Sequence, residues 1–128
     1  MLTKTYGAAV TGVDAIVVTM EVAFDNGFGF CIVGLPDTAV KESYERVRSA
    51  IKEFGVEFPR RDIVVNMSPA DVKKEGAAYD LPIAVALLAA DGKLAADNLD
   101  KYMIMGELSL DGTILPIRGI LPMAIKAR

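Results

Sequence analysis

Histidine and tryptophan are absent from this chain, and cysteine occurs once. Without histidine, the commonest general base and the commonest metal ligand are both missing. The one cysteine, Cys31, cannot close an internal disulfide, so a reducing, cytoplasmic setting is expected. No apolar run reaches the ~18 residues of a bilayer span, so no membrane partner is expected. The start at Met1 opens a strand pattern rather than a signal peptide. A phosphate loop of the form Gly-x-x-x-x-Gly-Lys-Ser/Thr is also lacking: Gly92-Lys93 runs into Leu94 without a glycine-rich lead, and the Gly27/Gly29 pair has no third glycine. No cofactor is therefore expected in these residues. An excess of positive charge is missing too. With 14 Lys and Arg against 17 Asp and Glu, the net charge is −3, and the chain as a whole does not attract nucleic acid.

What is present suits one folded domain over residues 1–128. The apolar share is 52% and the charged share 24%, which is a globular balance rather than a disordered one. Residues 3–10 read as a strand broken at Gly12. Residues 15–24 alternate Ile16, Val18, Met20, Val22 and Phe24 against Val17, Thr19, Glu21 and Ala23, a period of two. Asp25-Asn-Gly27 signals a hairpin, with 28–33 as the returning strand. A helix is expected from Asp37 to Phe54, capped by Asp37 or Thr38. Val40, Tyr44, Val47, Ile51 and Phe54 lie along one side, and Gly55 is placed to end it. A short buried strand at 62–66 and a charged loop at 68–78 follow. Asp80 then caps an apolar helix to about Ala90, with Pro82 in its first turn. A strand at 102–108, a turn at Asp111-Gly112 and a helix from Gly119 complete the order. That last helix reaches Arg128 without a cap, as expected of a chain that continues. Hairpins mixed with helices imply an α+β domain whose sheet is covered on one face.

Three motifs carry a resemblance. They are Ile32-Val-Gly-Leu-Pro-Asp37 leading into its helix; Val64-Val-Asn-Met-Ser-Pro-Ala-Asp71 with Lys74-Glu-Gly76 and Tyr79-Asp-Leu-Pro-Ile-Ala84; and Gly106-Glu-Leu-Ser-Leu-Asp-Gly112 with Leu115-Pro-Ile-Arg-Gly119. In this order, over nearly the whole chain, they resemble the opening domain of the magnesium-chelatase-like bacterial AAA+ ATPases, the ComM (YifB) group. The resemblance implies the fold of the Lon protease catalytic domain, itself related to domain 2 of ribosomal protein S5, with a left-handed β-α-β crossover. It implies an N-terminal domain followed by a motor that binds ATP and magnesium, assembles as a hexameric ring in the cytoplasm and acts on DNA in recombination or natural transformation.

Lon proteases use a serine nucleophile and a lysine base. Carried onto this sequence, those positions are Ala78 and Leu121. Shifting the register does not restore either group. No Ser, Thr or Cys occurs between Pro69 and Leu108, and no Lys between Thr113 and Ile125. Arg118 is a poor base, because a guanidinium stays protonated. Ser68 and Ser109 read as turn formers rather than parts of an unrelated dyad. The expectation is a non-catalytic module for assembly or DNA contact; the alternative is a subunit domain of an ATP-dependent Lon-like protease. Asp71, Glu75 and Asp80 could be imagined around a metal, but loop and cap roles account for them, and no metal is expected. The candidate DNA-binding residues are Arg46, Arg48 and Lys52 on the first helix, Arg60 and Arg61 before a strand, and Lys73 and Lys74 in the loop. Lys41, Glu45, Arg48 and Lys52 share a helical stripe, which reads equally as a solvated face.

Overall fold

The computed structural model describes residues 2–128; Met1 lies outside them. Strands β1 (Leu2–Thr11) and β2 (Asp14–Asp25) form a long antiparallel hairpin, followed by β3 (Phe30–Val33). Helices α1 (Thr38–Lys41) and α2 (Ser43–Glu53) lead to β4 (Asp62–Ser68), and α3 (Asp80–Ala90) comes next. A short hairpin of β5 (Glu107–Leu108) and β6 (Ile114–Leu115) precedes α4 (Ile120–Ala127).

The main sheet has the order β1-β2-β4-β3. This corrects the hairpin expected at residues 25–33. β3 does not return beside β2; β4 lies between them, antiparallel to β2 and parallel to β3. The Asn26–Gly29 loop instead packs over the start of β4. Gly27 and Gly29 leave room only for the Asp62 side chain, and the Ile63 N–H donates to Gly29 O at 2.8 Å. The strand expected at 102–108 shrinks to Glu107–Leu108, although Ile104 N still donates to Tyr6 O on the edge of β1 at 2.7 Å.

The inner sheet face carries Val18, Met20, Val22, Ile63, Val65 and Met67, all buried under α2 and α3. The alternation read in β2 holds from Val18 onward and fails at Ile16, which is exposed near the hairpin end. Val40, Val47 and Ile51 are buried as the helical period requires, whereas Phe54 is 71% exposed. Gly55 does end α2, at φ +77°. A smaller cluster joins Ala8 and Ala15 to Met123 of α4. Ala8 and Ala9 alternate across the strand, and Ala9 belongs to the main core. So α4 covers the opposite face at the hairpin end, while α2 and α3 cover the inner one.

Two expectations about the helices change together. The single helix from Asp37 to Phe54 breaks at Glu42, and Asp80 is the first residue of α3 rather than its cap. Ser43, the first residue of α2, faces inward, and its hydroxyl donates to Asp80 Oδ1 at 2.6 Å. Arg46 donates to the same carboxylate from Nε (2.6 Å) and Nη2 (3.0 Å), and to Ala39 O at 2.7 Å. Leu108 N–H of β5 donates to Asp80 Oδ2 at 3.0 Å. The Asp80 side chain is fully buried. Its bond to Arg46 raises the already high guanidinium pKa, against the burial that opposes the charge. Removing one partner of such a pair costs more than the pair contributes, because the other is left buried and unmatched. Asp80→Ala is expected to lower unfolding stability by about 3–5 kcal/mol. With Arg46→Ala, a double-mutant cycle in urea should give a coupling of about 1–3 kcal/mol. Additive effects would show that the two side chains do not act as a unit.

Candidate functional site

The turn at Gly34–Asp37 shapes one end of the molecule. A Cβ at Gly34 would sit 2.1 Å from Met67 O, and the residue has φ +109°, so only glycine fits. Leu35 takes φ +57° and accepts from Lys74 N at 2.9 Å; Lys74 O in turn accepts from Asp37 N at 2.9 Å. Asp37 Oδ1 caps α1 by accepting from Val40 N (2.8 Å), and its Oδ2 accepts from Gly76 N (3.1 Å). The first and second motifs of the sequence are therefore stitched to each other.

A cleft of about 610 Å3 lies beside this stitch, lined by β1 residues 8–11, residues 72, 73 and 75–79, Met105, Glu107, residues 116–118 and Met123. Ala78 is in its wall. Leu121 is not, and stands 70% exposed on α4. The hydroxyls in the lining belong to Thr11 and Tyr79. Tyr79 donates to Ala8 O at 3.1 Å, and burial, reinforced by the negative charges of Asp37 and Glu75, pushes its phenol up to about 12. Lys73 is held 3.6 Å from Glu75. Ser68 accepts from Asn66 Nδ2 at 3.3 Å, and Ser109 donates to Asp111 in the β5–β6 turn. No group of three His, Cys, Asp or Glu is placed to hold a metal among the described residues. Asp80 is far from that role, since it is spent on Arg46, Ser43 and Leu108.

The seven candidate DNA-binding residues separate. Arg46 is locked onto Asp80, and Lys74 is buried with Nζ donating to Pro69 O. Burial pushes the Lys74 ammonium down from its usual range, against the pull of Asp71. Neither side chain is presented to solvent as the loop and helix positions suggested. Arg48, Lys52, Arg60 and Arg61 do come together, around a second cleft of about 390 Å3. Its other walls include Phe28, Phe30, Tyr44 and Phe58. Phe30, Tyr44 and Phe58 form one aromatic group, with centroids 4.5, 5.9 and 6.5 Å apart. Those rings come from β3, α2 and the segment before β4. Tyr44, expected on the core stripe of the helix, is half-buried and lines this cleft, and Phe28 and Phe58 join it from segments with no helical or site pattern of their own. The run Phe58-Pro-Arg-Arg61, an aromatic beside paired arginines, is the local pattern that marks this cleft in the sequence.

The fold defines a Lon-like α+β domain, with Ala78 in the wall of its first cleft. The family described as Subunit ChlI of Mg-chelatase matches residues 20–128, and the chain belongs to that family. It is 51% identical over 120 residues to the YifB protein of Salmonella typhimurium, covering 93% of this chain and 24% of that protein. It is 43% identical over 124 residues to the competence protein ComM of Haemophilus influenzae, covering 96% and 24%. A Lon protease of Chloroflexus aurantiacus is 34% identical over 104 residues, 75% of this chain and 12% of that protein. The chain thus spans about a quarter of the length of the YifB and ComM proteins. No helix is long and apolar enough to cross a membrane among the described residues.

Tyr79 supplies a pH test of the first cleft. Its pKa in the fold, about 12, lies above the ordinary value near 10. The stability gained by keeping it neutral is therefore full below about pH 10 and is lost as pH rises through 12. Ultraviolet titration should show a late tyrosinate component near pH 12, absent in Tyr79→Phe. Urea stability of that variant should fall less steeply over the same range. An unchanged titration curve in Tyr79→Phe would place the late component elsewhere.

Proposed function

We propose that this domain is a non-catalytic, DNA-contacting module at the N-terminal side of a magnesium-chelatase-like AAA+ ATPase. The gathering of Arg48, Lys52, Arg60 and Arg61 around one cleft carries this reading. Four cations at one place give a local phosphate-binding surface that a net charge of −3 conceals. In this reading the ATP- and magnesium-binding motor lies in the part of the protein beyond these residues, and acts in recombination or transformation. The relative named a competence protein is in keeping with that role. A protease subunit is the weaker reading: Ala78 and Leu121 supply neither nucleophile nor base, and a dyad needs both within hydrogen-bond reach. The exposed free thiol of Cys31 suits a reducing cytoplasm.

A second role, assembly, is favoured by α4. Ile120, Leu121 and Ile125 are exposed together on that short helix, a surface suited to burial in a ring of subunits.

DNA contact predicts weak, sequence-independent binding that falls steeply with salt. Each duplex phosphate contact removed should reduce the log–log salt slope by about 0.9. Fluorescence anisotropy at low salt should show binding lost on charge reversal of Arg48, Lys52, Arg60 and Arg61 together, and retained on Lys73→Glu. Binding unaffected by reversal of all four would remove the DNA reading and leave assembly alone. Turnover of an unfolded protein, abolished by Ser68→Ala or Ser109→Ala, would instead support the protease.

A further inference from the structure

We propose that the second cleft is a site for single-stranded nucleic acid, in which unpaired bases stack on Phe28 and on the ring group that shares its lining while the cations track the backbone. This rests on the DNA-contacting reading above and adds which form of nucleic acid the cleft takes and how.

The cations differ in their state across the molecule. Lys4, Arg46, Lys73 and Lys93 each pair with a carboxylate within 4.0 Å, and Lys74 is buried. Among the described residues Lys41, Arg48, Lys52, Arg61, Lys101, Arg118, Lys126 and Arg128 have no such partner and are exposed, and of these Arg48, Lys52 and Arg61 line the second cleft. Arg60 is held at the rim by Glu57, 2.8 Å away. The unpaired charges of α1 and α2 lie on one stripe at Lys41, Arg48 and Lys52. Tyr44 is also on it and lines both this cleft and an adjoining depression formed by Phe30, Cys31, Ile32 and Lys41. From Lys41 to Lys52 the stripe rises roughly 16 Å, at ~1.5 Å per residue. At ~3.4 Å per stacked nucleotide, that is on the order of five nucleotides.

The rings decide between single strand and duplex. Phosphate-binding cations serve both forms alike, because both present a charged backbone. A duplex keeps its base faces stacked inside and has nothing to lay on an aromatic surface. Phe28 is 92% exposed and lines the same cleft as the Phe30, Tyr44 and Phe58 group. A solvent-facing ring and an aromatic group in one cleft, together with unpaired cations, match the requirements of a sequence-tolerant single-strand site. Phe28 sits in the loop whose neighbouring glycines pack on Asp62, so its backbone is anchored while its ring is free.

The test is anisotropy titration of this chain with oligo-dT, oligo-rU and a duplex of equal length. Oligo-glutamate serves as competitor. The expected result is single-strand binding at least about tenfold tighter than duplex binding, weakened roughly tenfold by Phe28→Ala and preserved in Phe28→Tyr. Phe28→Ala should leave duplex binding and the salt slope unchanged, since it removes no charge. Phe28 is too exposed for its loss to unfold the domain, and circular dichroism of the variant checks this. Arg48→Gln with Lys52→Gln should weaken single strand and duplex together and flatten the salt slope. If duplex binds and charge reversal weakens it, while Phe28→Ala changes nothing, the stacking site is wrong and the DNA-contacting reading stands. Equal competition by oligo-glutamate would make the cleft a general polyanion site and also overturn the proposal. If no nucleic acid binds at low salt, both readings fail.

Discussion

One buried carboxylate organises this domain. α3 is almost wholly apolar and has no polar surface with which to fix its position; only its first residue can do so. Asp80 accepts from Ser43 and Arg46 on α2 and from the backbone of β5, so a single side chain sets where three elements meet. Ser43 and Arg46, three residues apart on α2, share the face that meets this carboxylate, which takes all four bonds on its two oxygens. The seating of α2, the position of α3 and the docking of the β5–β6 hairpin are one constraint seen from three sides. Arg46 also reaches Ala39 O in α1, which ties the short helix to the same centre.

A second stitch adjoins this centre. Gly34 passes Met67 O at a distance no side chain tolerates, and Asp37 divides its two oxygens between its own helix and the loop at Gly76. Lys74 then has its backbone committed to Leu35 and Asp37 and its ammonium to Pro69. The motifs that carry the family resemblance are in this sense structural. They fix the walls of the first cleft, Ala78 among them.

Much of the fold was legible from local patterning. The period of two in β2, the Val40–Val47–Ile51 stripe, the Asp37 cap and the stop at Gly55 follow from nearest-neighbour physics, and the structure has them. The misreadings concern residues whose partners are distant in sequence. Asn26-Gly27 is a sound turn signal, but it cannot reveal that a strand more than 30 residues later enters between β2 and β3. Asp80 before an apolar run reads as a cap, because its partner Arg46 lies 34 residues upstream. Lys74 and Arg46 were counted as surface charges for the same reason. The second cleft is assembled from three separate segments, so sequence grouped its cations by proximity along the chain and missed its rings.

That sorting of cations shows why net charge is a poor guide to a domain of this size. At physiological salt an exposed charge is felt over about 8 Å, far less than the width of the molecule. What a ligand meets is the local balance within that radius, and local balance depends on which cations the fold has already used. Here one arginine fixes helices, one lysine closes a loop, and several others pair with neighbouring carboxylates. The face formed by α2, the Phe28 loop and Phe58–Arg61 keeps its positive charge largely unspent, and keeps it beside aromatic surface. An acidic chain thereby gathers four cations around one aromatic-lined cleft, on the same helix α2 that Asp80 anchors through Arg46.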